Sequence, residues 1–303
     1  TTMGLWGSEV RILSPRPLRD SKSRLAPHTM DNMRTILIPV ADRPECAIAL
    51  SCAFDLSKRM SSNLLGYHLR PHVREKRTAV AQKQIKLASK DAHSLFNRMA
   101  EAHGLELKKR PTGVDPHGQA LWRELTGSPE KCFPFIGPMS DLIVVSRPRT
   151  SKSVTASKFM HAALMQTGTP VLRLPSRLPK TLGTHVLICW NQSVEAAAAV
   201  KANLPLLAAA GAVTIVAAGS EDGVGAKSTH LQQYLRHYGI KSQRVTTRGL
   251  DAEREIMDTY NEHGCDLLLM GAYSKPRWQE RVFGGVTTFV LNKTSIPAVM
   301  LHR

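Results

Sequence analysis

Cys265-Asp-Leu-Leu-Leu-Met-Gly-Ala-Tyr273, then a basic polar run, then Val282-Phe-Gly-Gly-Val-Thr-Thr-Phe-Val-Leu291 and Ile296-Pro-Ala-Val-Met-Leu301 is the stretch around which the chain is organised. Leu267 to Met270 is an apolar run of strand length stopped by Gly271, which suits a parallel strand covered on both faces. Beyond the polar run, Gly284 and Gly285 precede Val286, Phe289 and Val290, which recur at helical spacing. The glycine pair is therefore expected at a helix N-terminus, where backbone N–H groups are unpaired. Glycines there let an anion approach the backbone, and the helix end supplies partial positive charge.

Working outward, the pattern occurs twice. Asp266–Met270 repeats Asp141–Val145 almost letter for letter, His185–Trp190 matches Thr35–Val40, and Thr294–Leu301 matches Thr167–Leu174. In the first half a helix is expected from Cys46 to Met60, a strand from Asn63 to Leu69, a long polar helix from Glu75 to His103 and a short strand from Leu105 to Leu107. Leu121–Leu125 reads as helical, and the prolines make Thr126–Met139 irregular. In the second half, Ala196–Ala210 is read as a helix and Val213–Ala217 as a strand. A helix over Lys227–Tyr238, a strand over Gln243–Thr246 and a helix over Asp251–His263 follow. Strands alternating with helices indicate an α/β fold with doubly wound parallel sheets, and the repeated order indicates an internal duplication. The expected organisation is residues 33–175, a proline-bearing linker over 176–183, and residues 184–303.

Residues 1–32 belong to neither repeat. They are rich in Arg and poor in acids, and they read either as a leader or mis-assigned start or as an organellar transit segment; in both cases disorder is expected. The 303 residues are 42% hydrophobic and 21% charged, an ordinary composition for a globular protein with two real cores. No apolar run is long enough to span a membrane. Five scattered cysteines without a CxxC pattern fit buried thiols in a reducing, cytoplasmic setting. The net charge of +17 is spread along the chain without interleaved aromatics, which argues against nucleic acid as the partner.

Met270-Gly-Ala-Tyr-Ser274, nine residues, then Gly284-Gly-Val-Thr287 resembles the phosphate loop of the universal stress proteins, whose ATP-binding members follow Gly-x2-Gly-x9-Gly-Ser/Thr. The spacing is kept. Ser274 stands where the second glycine belongs, and Gly285 where the Ser or Thr belongs. The resemblance covers residues 34–303 and implies two tandem Rossmann-like domains of the adenine-nucleotide alpha hydrolase type. It also implies that the last strands, Val171–Leu174 and Ala298–Leu301, pair within one chain.

By the same resemblance ATP is the implied ligand, held by the second half. Asn191 stands where the family has an Asp at the end of its first strand, Cys189 where it often has Pro, Val216 or Ala217 would face the base, and Met270 would pack against it. Gly271, Ser274, Gly284, Gly285, Val286 and Thr287 would hold the phosphates. Alternatives stand beside these roles: Asn191 or Ser193 as a helix cap, Met270 as core, and Lys275, Arg277 and Arg281 as a solvated basic face. The first half has Ala41 at the Asp position, and Ser146 to Val154 contains no glycine, so it reads as a structural partner. No metal-ligand spacing and no nucleophile motif is found. The expectation is a non-enzymatic stress regulator that binds ATP, with slow hydrolysis left open; a protein-interaction module without nucleotide is the alternative.

Overall fold

A computed structural model of the chain describes residues 33–41, 43–71, 79–111, 118–147, 154–177, 179–273 and 285–303. The first half runs β1 (Thr35–Pro39), α1 (Pro44–Met60), β2 (Asn63–Arg70), α2 (Ala79–His103), β3 (Glu106–Lys108), β4 (Gln119–Thr126), α3 (Pro129–Ile136), β5 (Leu142–Ser146), α4 (Val154–Gln166) and β6 (Val171–Leu174). The second runs β7 (His185–Cys189), α5 (Val194–Ala202), α6 (Leu204–Ala208), β8 (Ala212–Ala218), α7 (Ser228–His237), β9 (Gln243–Thr247), α8 (Ala252–Glu262), β10 (Leu267–Gly271), α9 (Gly285–Lys293) and β11 (Ala298–Leu301).

All the strands among the described residues join one eleven-stranded sheet in the order β3-β4-β2-β1-β5-β6-β11-β10-β7-β8-β9. Every neighbouring pair is parallel except β6 and β11, which run antiparallel with Val299 opposite Leu172. The sequence β4-β2-β1-β5-β6 is mirrored by β9-β8-β7-β10-β11, and β3 is an addition outside the mirror. The central runs are apolar because helices cover both faces. One buried cluster holds Ile36, Phe54 and Phe96 together with Ile188, Ile215 and Leu235, and so continues from one half to the other. The other face carries Phe133, Ala162, Leu268, Ile256 and Val290 in a second cluster. Full burial of each large apolar side chain contributes about 1.5–3 kcal/mol.

A carboxylate fixes the start of the first strand in each half. Asp141 Oδ2 accepts from Arg34 N, Thr35 N and Thr35 Oγ1 at 2.8, 2.8 and 2.9 Å. Asp266 accepts from Thr184 N at 3.1 Å and His185 N at 3.0 Å. The near-identity of Asp141–Val145 and Asp266–Met270 thus reflects the same job done twice: an acid just before the strand pins its neighbour.

Three expectations are corrected. Leu121–Leu125 is strand, because Gln119–Thr126 forms a parallel ladder with β2 from Leu64↔Ala120 to Arg70↔Thr126, and that pairing outweighs a helical spacing of apolar residues. Within Thr126–Met139 a true helix forms, α3, which Pro129 can open because an N-terminal position has no intrahelical N–H bond to lose. The single helix expected over Ala196–Ala210 breaks at Asn203: its Nδ2 donates to Ala199 O at 2.8 Å, and Pro205 opens α6. Helix α4 also lies between β5 and β6, where the strand runs alone do not announce it.

Candidate functional site

At the carboxyl end of β10 the chain leaves through Ala272 and Tyr273, the latter in the left-handed region with φ 53°. It returns at Gly285, the first residue of α9. The two ends meet: Tyr273 N donates to Thr287 Oγ1 at 3.5 Å, and Thr287 is buried on α9. His302 supports the exit, donating from Nδ1 to Ala272 O at 3.1 Å and meeting the Tyr273 ring edge-on at 5.9 Å. The sequence therefore starts and ends its glycine-containing segment at one point, between a strand end and a helix N-terminus. Ser274 and Gly284, with Lys275, Arg277 and Arg281, lie outside the described residues.

The two described glycines have specific neighbours. A Cβ on Gly271 would lie 2.5 Å from Ala196 N and 2.7 Å from Glu195 C, so the missing side chain lets the first turn of α5 seat on the end of β10. A Cβ on Gly285 would lie 2.5 Å from Glu253 Oε1, which puts a carboxylate from the first turn of α8 beside the N-terminus of α9. That is the favourable end of the helix dipole for a negative charge.

Asn191 follows β7, the strand that pairs with β10. Its Oδ1 accepts from Ser193 Oγ at 2.7 Å and from Ser193 N at 3.3 Å. Ser193, not Asn191, caps α5, its Oγ accepting from Ala196 N at 3.1 Å. Asn191 is left exposed at the strand end, one step behind the cap. Two neighbours that the sequence reading passed over shape this corner. Gln192 adopts φ 60° and donates to Gly225 O at 2.9 Å, while Trp190 Nε1 donates to Ala226 O at 2.8 Å. Together they fold the segment after β8 over the turn.

Val216 and Met270, expected at a base, are packed in the core with Ile256, Tyr260 and Val290 under α8 and α9, and so is Cys189. Val216 is 1% exposed and Met270 5%. Burial pushes the Cys189 thiol up, so it is an inert core group. The structure thus gathers Gly271, Gly285, Val286 and Thr287 at the β10–α9 junction and places Asn191 on the adjacent strand end.

The first half, expected to serve only as a structural partner, holds a cavity of about 1020 Å³. It opens at the carboxyl ends of β1, β2, β4 and β5, between α2 and α4, and reaches from Ala41 to Ser146. β1 lies between β2 and β5, so this is the point where the strand order reverses. Asp42 lies outside the described residues. Among the described residues no group of three His, Cys, Asp or Glu is placed to hold a metal ion, and no helix is long and apolar enough to cross a membrane.

Residues 185–302 match the model of the universal stress protein family. A universal stress protein of Methanocaldococcus jannaschii is 27% identical over 77 residues, 25% of this chain and 47% of that protein, so the chain spans about half the length of the curated relative it matches. Among solved structures, a universal stress protein from Archaeoglobus fulgidus has a TM-score of 0.70 at 13% identity, covering 89% of this chain and 96% of its own. A functionally unknown protein from Pseudomonas aeruginosa PAO1 has a TM-score of 0.51 at 15% identity, covering 89% of this chain and 92% of its own. At these identities the two structures speak for the fold.

Proposed function

Because this chain belongs to the universal stress protein family through residues 185–302, we propose that its second half binds an adenine nucleotide, ATP, and that the protein is a regulator rather than an enzyme. The observation that carries this reading is the closure at Tyr273 and Thr287. It brings a strand end and a helix N-terminus to the two ends of a segment with Gly284 and three basic residues, the arrangement that binds phosphate through backbone N–H groups. Asn191, exposed on the neighbouring strand end, is placed to take a ribose hydroxyl. We assign no general base or nucleophile, which is why binding without turnover is the reading. In this proposal residues 33–175 and 184–303 are two tandem units, joined through β6 and β11 and acting in the cytoplasm.

A second reading, a protein-interaction module that takes no nucleotide, is favoured by one feature: the Glu253 carboxylate already stands at the N-terminus of α9. One experiment separates the two. The purified protein is denatured, and the released small molecules are identified by mass spectrometry and compared with a millimolar ATP titration of the refolded chain. Adenine nucleotide in the release, or saturable heat on titration, supports the first reading. Absence of both replaces it with the second.

A further inference from the structure

The cavity in the first half is built differently from the glycine-containing junction in the second. Its floor is the end of β1, Pro39 to Ala41, which carries no hydrogen-bonding side chain where Asn191 stands in the second half. The segment from Ser146 to Val154 contains no glycine to admit a polyphosphate. An apolar strip runs along the cavity: Val40 and Leu69 from the strand ends, Leu87 and Ala88 from α2, Phe159 from α4. Leu87 is 57% exposed, a large apolar side chain held in solvent at the rim.

Two of the three cations that line the cavity gather at one end; the third, Arg43, stands at the start of α1. Lys131 in the first turn of α3 and Lys158 on α4 both line the cavity, and Lys158 Nζ lies 3.9 Å from Glu130 Oε1, which holds it beside the start of α3. Ser128 and Pro129, at the positive pole of that helix, line the same end. The acids that line the cavity, Glu45 on α1 and Asp91 on α2, come from other walls. His68 is 8% exposed and lines the cavity from the end of β2. Its Nδ1 donates to Val40 O at 2.9 Å, which leaves Nε2 as the ring nitrogen for another partner. A buried polar group, an apolar wall and a cationic end within a volume suited to a small molecule make a built ligand site.

We propose that the first half carries a second ligand site, distinct from the nucleotide site, which takes an organic carboxylate with an apolar body: the body lies on Val40, Leu69, Leu87 and Phe159, and the carboxylate at Lys131 and Lys158. This assignment stands whether or not the second half binds ATP. Acyl and aromatic carboxylates share the chemistry, so both serve as probes. Full-length protein is titrated calorimetrically with decanoate, with 1-naphthoate and with decylammonium. One of the carboxylates should bind with one-to-one stoichiometry, and decylammonium should bind at least tenfold more weakly. The double variant Lys131→Glu, Lys158→Glu should weaken the carboxylate at least tenfold. Ala88→Trp, an addition at an exposed helical position, should abolish binding by filling the space while leaving the circular dichroism unchanged. Saturating ATP should not displace the probe. The proposal is overturned if neither carboxylate binds at millimolar concentration, if decylammonium binds equally well, if folded Ala88→Trp binds like the wild type, or if ATP competes.

Discussion

Arg173 and Thr294 meet across the seam between the halves: the Arg173 guanidinium, 2% exposed on β6, donates from Nη2 to Thr294 O at 2.7 Å, just beyond the C-terminus of α9. The same side chain donates to Leu291 O and Ile296 O at 3.2 Å each. Arg147 also reaches Thr294 O, and its Nη2 donates to Asn292 O at 2.7 Å. Two cations from the first half thus satisfy the carbonyls that end a helix of the second, where the helix dipole is negative.

Burial, with Arg147 adding a smaller push, pulls the Arg173 pKa down to about 10, still far above neutrality, so it remains charged. Arg173→Leu should therefore cost on the order of 3 kcal/mol, because several carbonyls lose charged donors at once. Arg173→Lys should recover only part of that, since an ammonium cannot reach three carbonyls with a planar fork. Urea unfolding of the three proteins checks the order.

Gly271→Ala tests whether the strand-end glycine is structural. Its Cβ would meet the backbone of Glu195 and Ala196, which cannot swing aside as a side chain can. Overpacking of this kind costs about 1–3 kcal/mol. A melting temperature unchanged by Gly271→Ala would show that α5 can move off β10.

Phosphate binding at α9 is examined by two substitutions that point the same way. Ser274→Gly gives the segment the backbone freedom the family pattern has there, and Glu253→Gln removes the carboxylate that competes for the helix end. Each should strengthen ATP binding about tenfold, which is roughly 1.4 kcal/mol by calorimetry. Weaker binding in Glu253→Gln would mean that this carboxylate supports the ligand rather than replacing it.

Acid should loosen the turn between β9 and α8. Glu255 is held below the ordinary glutamate value of 4.5, first by the Thr247 hydroxyl and then, against some desolvation, by backbone N–H groups including those of Gly249 and Leu250, which donate to it at 2.8 and 3.0 Å. A depressed carboxylate contributes stability that is fully present above pH 4.5 and is lost as pH falls through its lower, folded-state value. Thermal melts from pH 7 to pH 3 should show Glu255→Gln below the wild type at neutrality and converging with it in acid. A constant gap would assign the loss to geometry alone.

The strands were readable where burial on both faces produces an unbroken apolar run, as in Leu267–Met270 and Leu142–Val145. Gln119–Thr126 was not, because its apolar residues fit a helix equally well and the ladder that decides the matter is supplied by β2, more than fifty positions earlier. The site divided in the same way. Spacing pointed to the helix that starts at Gly285, but only the tertiary structure brings Glu253 there and sets α5 against Gly271. The cavity of the first half is bounded by residues from four strand ends and four helices far apart in sequence, so no local pattern marks it.

The antiparallel seam also sets a timetable. Val171–Leu174 finds its second neighbour only in Ala298–Leu301, the last strand to leave the ribosome among those described, roughly 120 residues later. At ~5–20 residues per second of synthesis, the β6 edge waits unpaired for about 6–25 seconds. For that interval an apolar strand with free N–H and C=O groups faces solvent, open to another chain or to a chaperone. Slowing translation across the second half should lengthen this exposure and raise the yield of aggregated chains, though the finished protein would be the same.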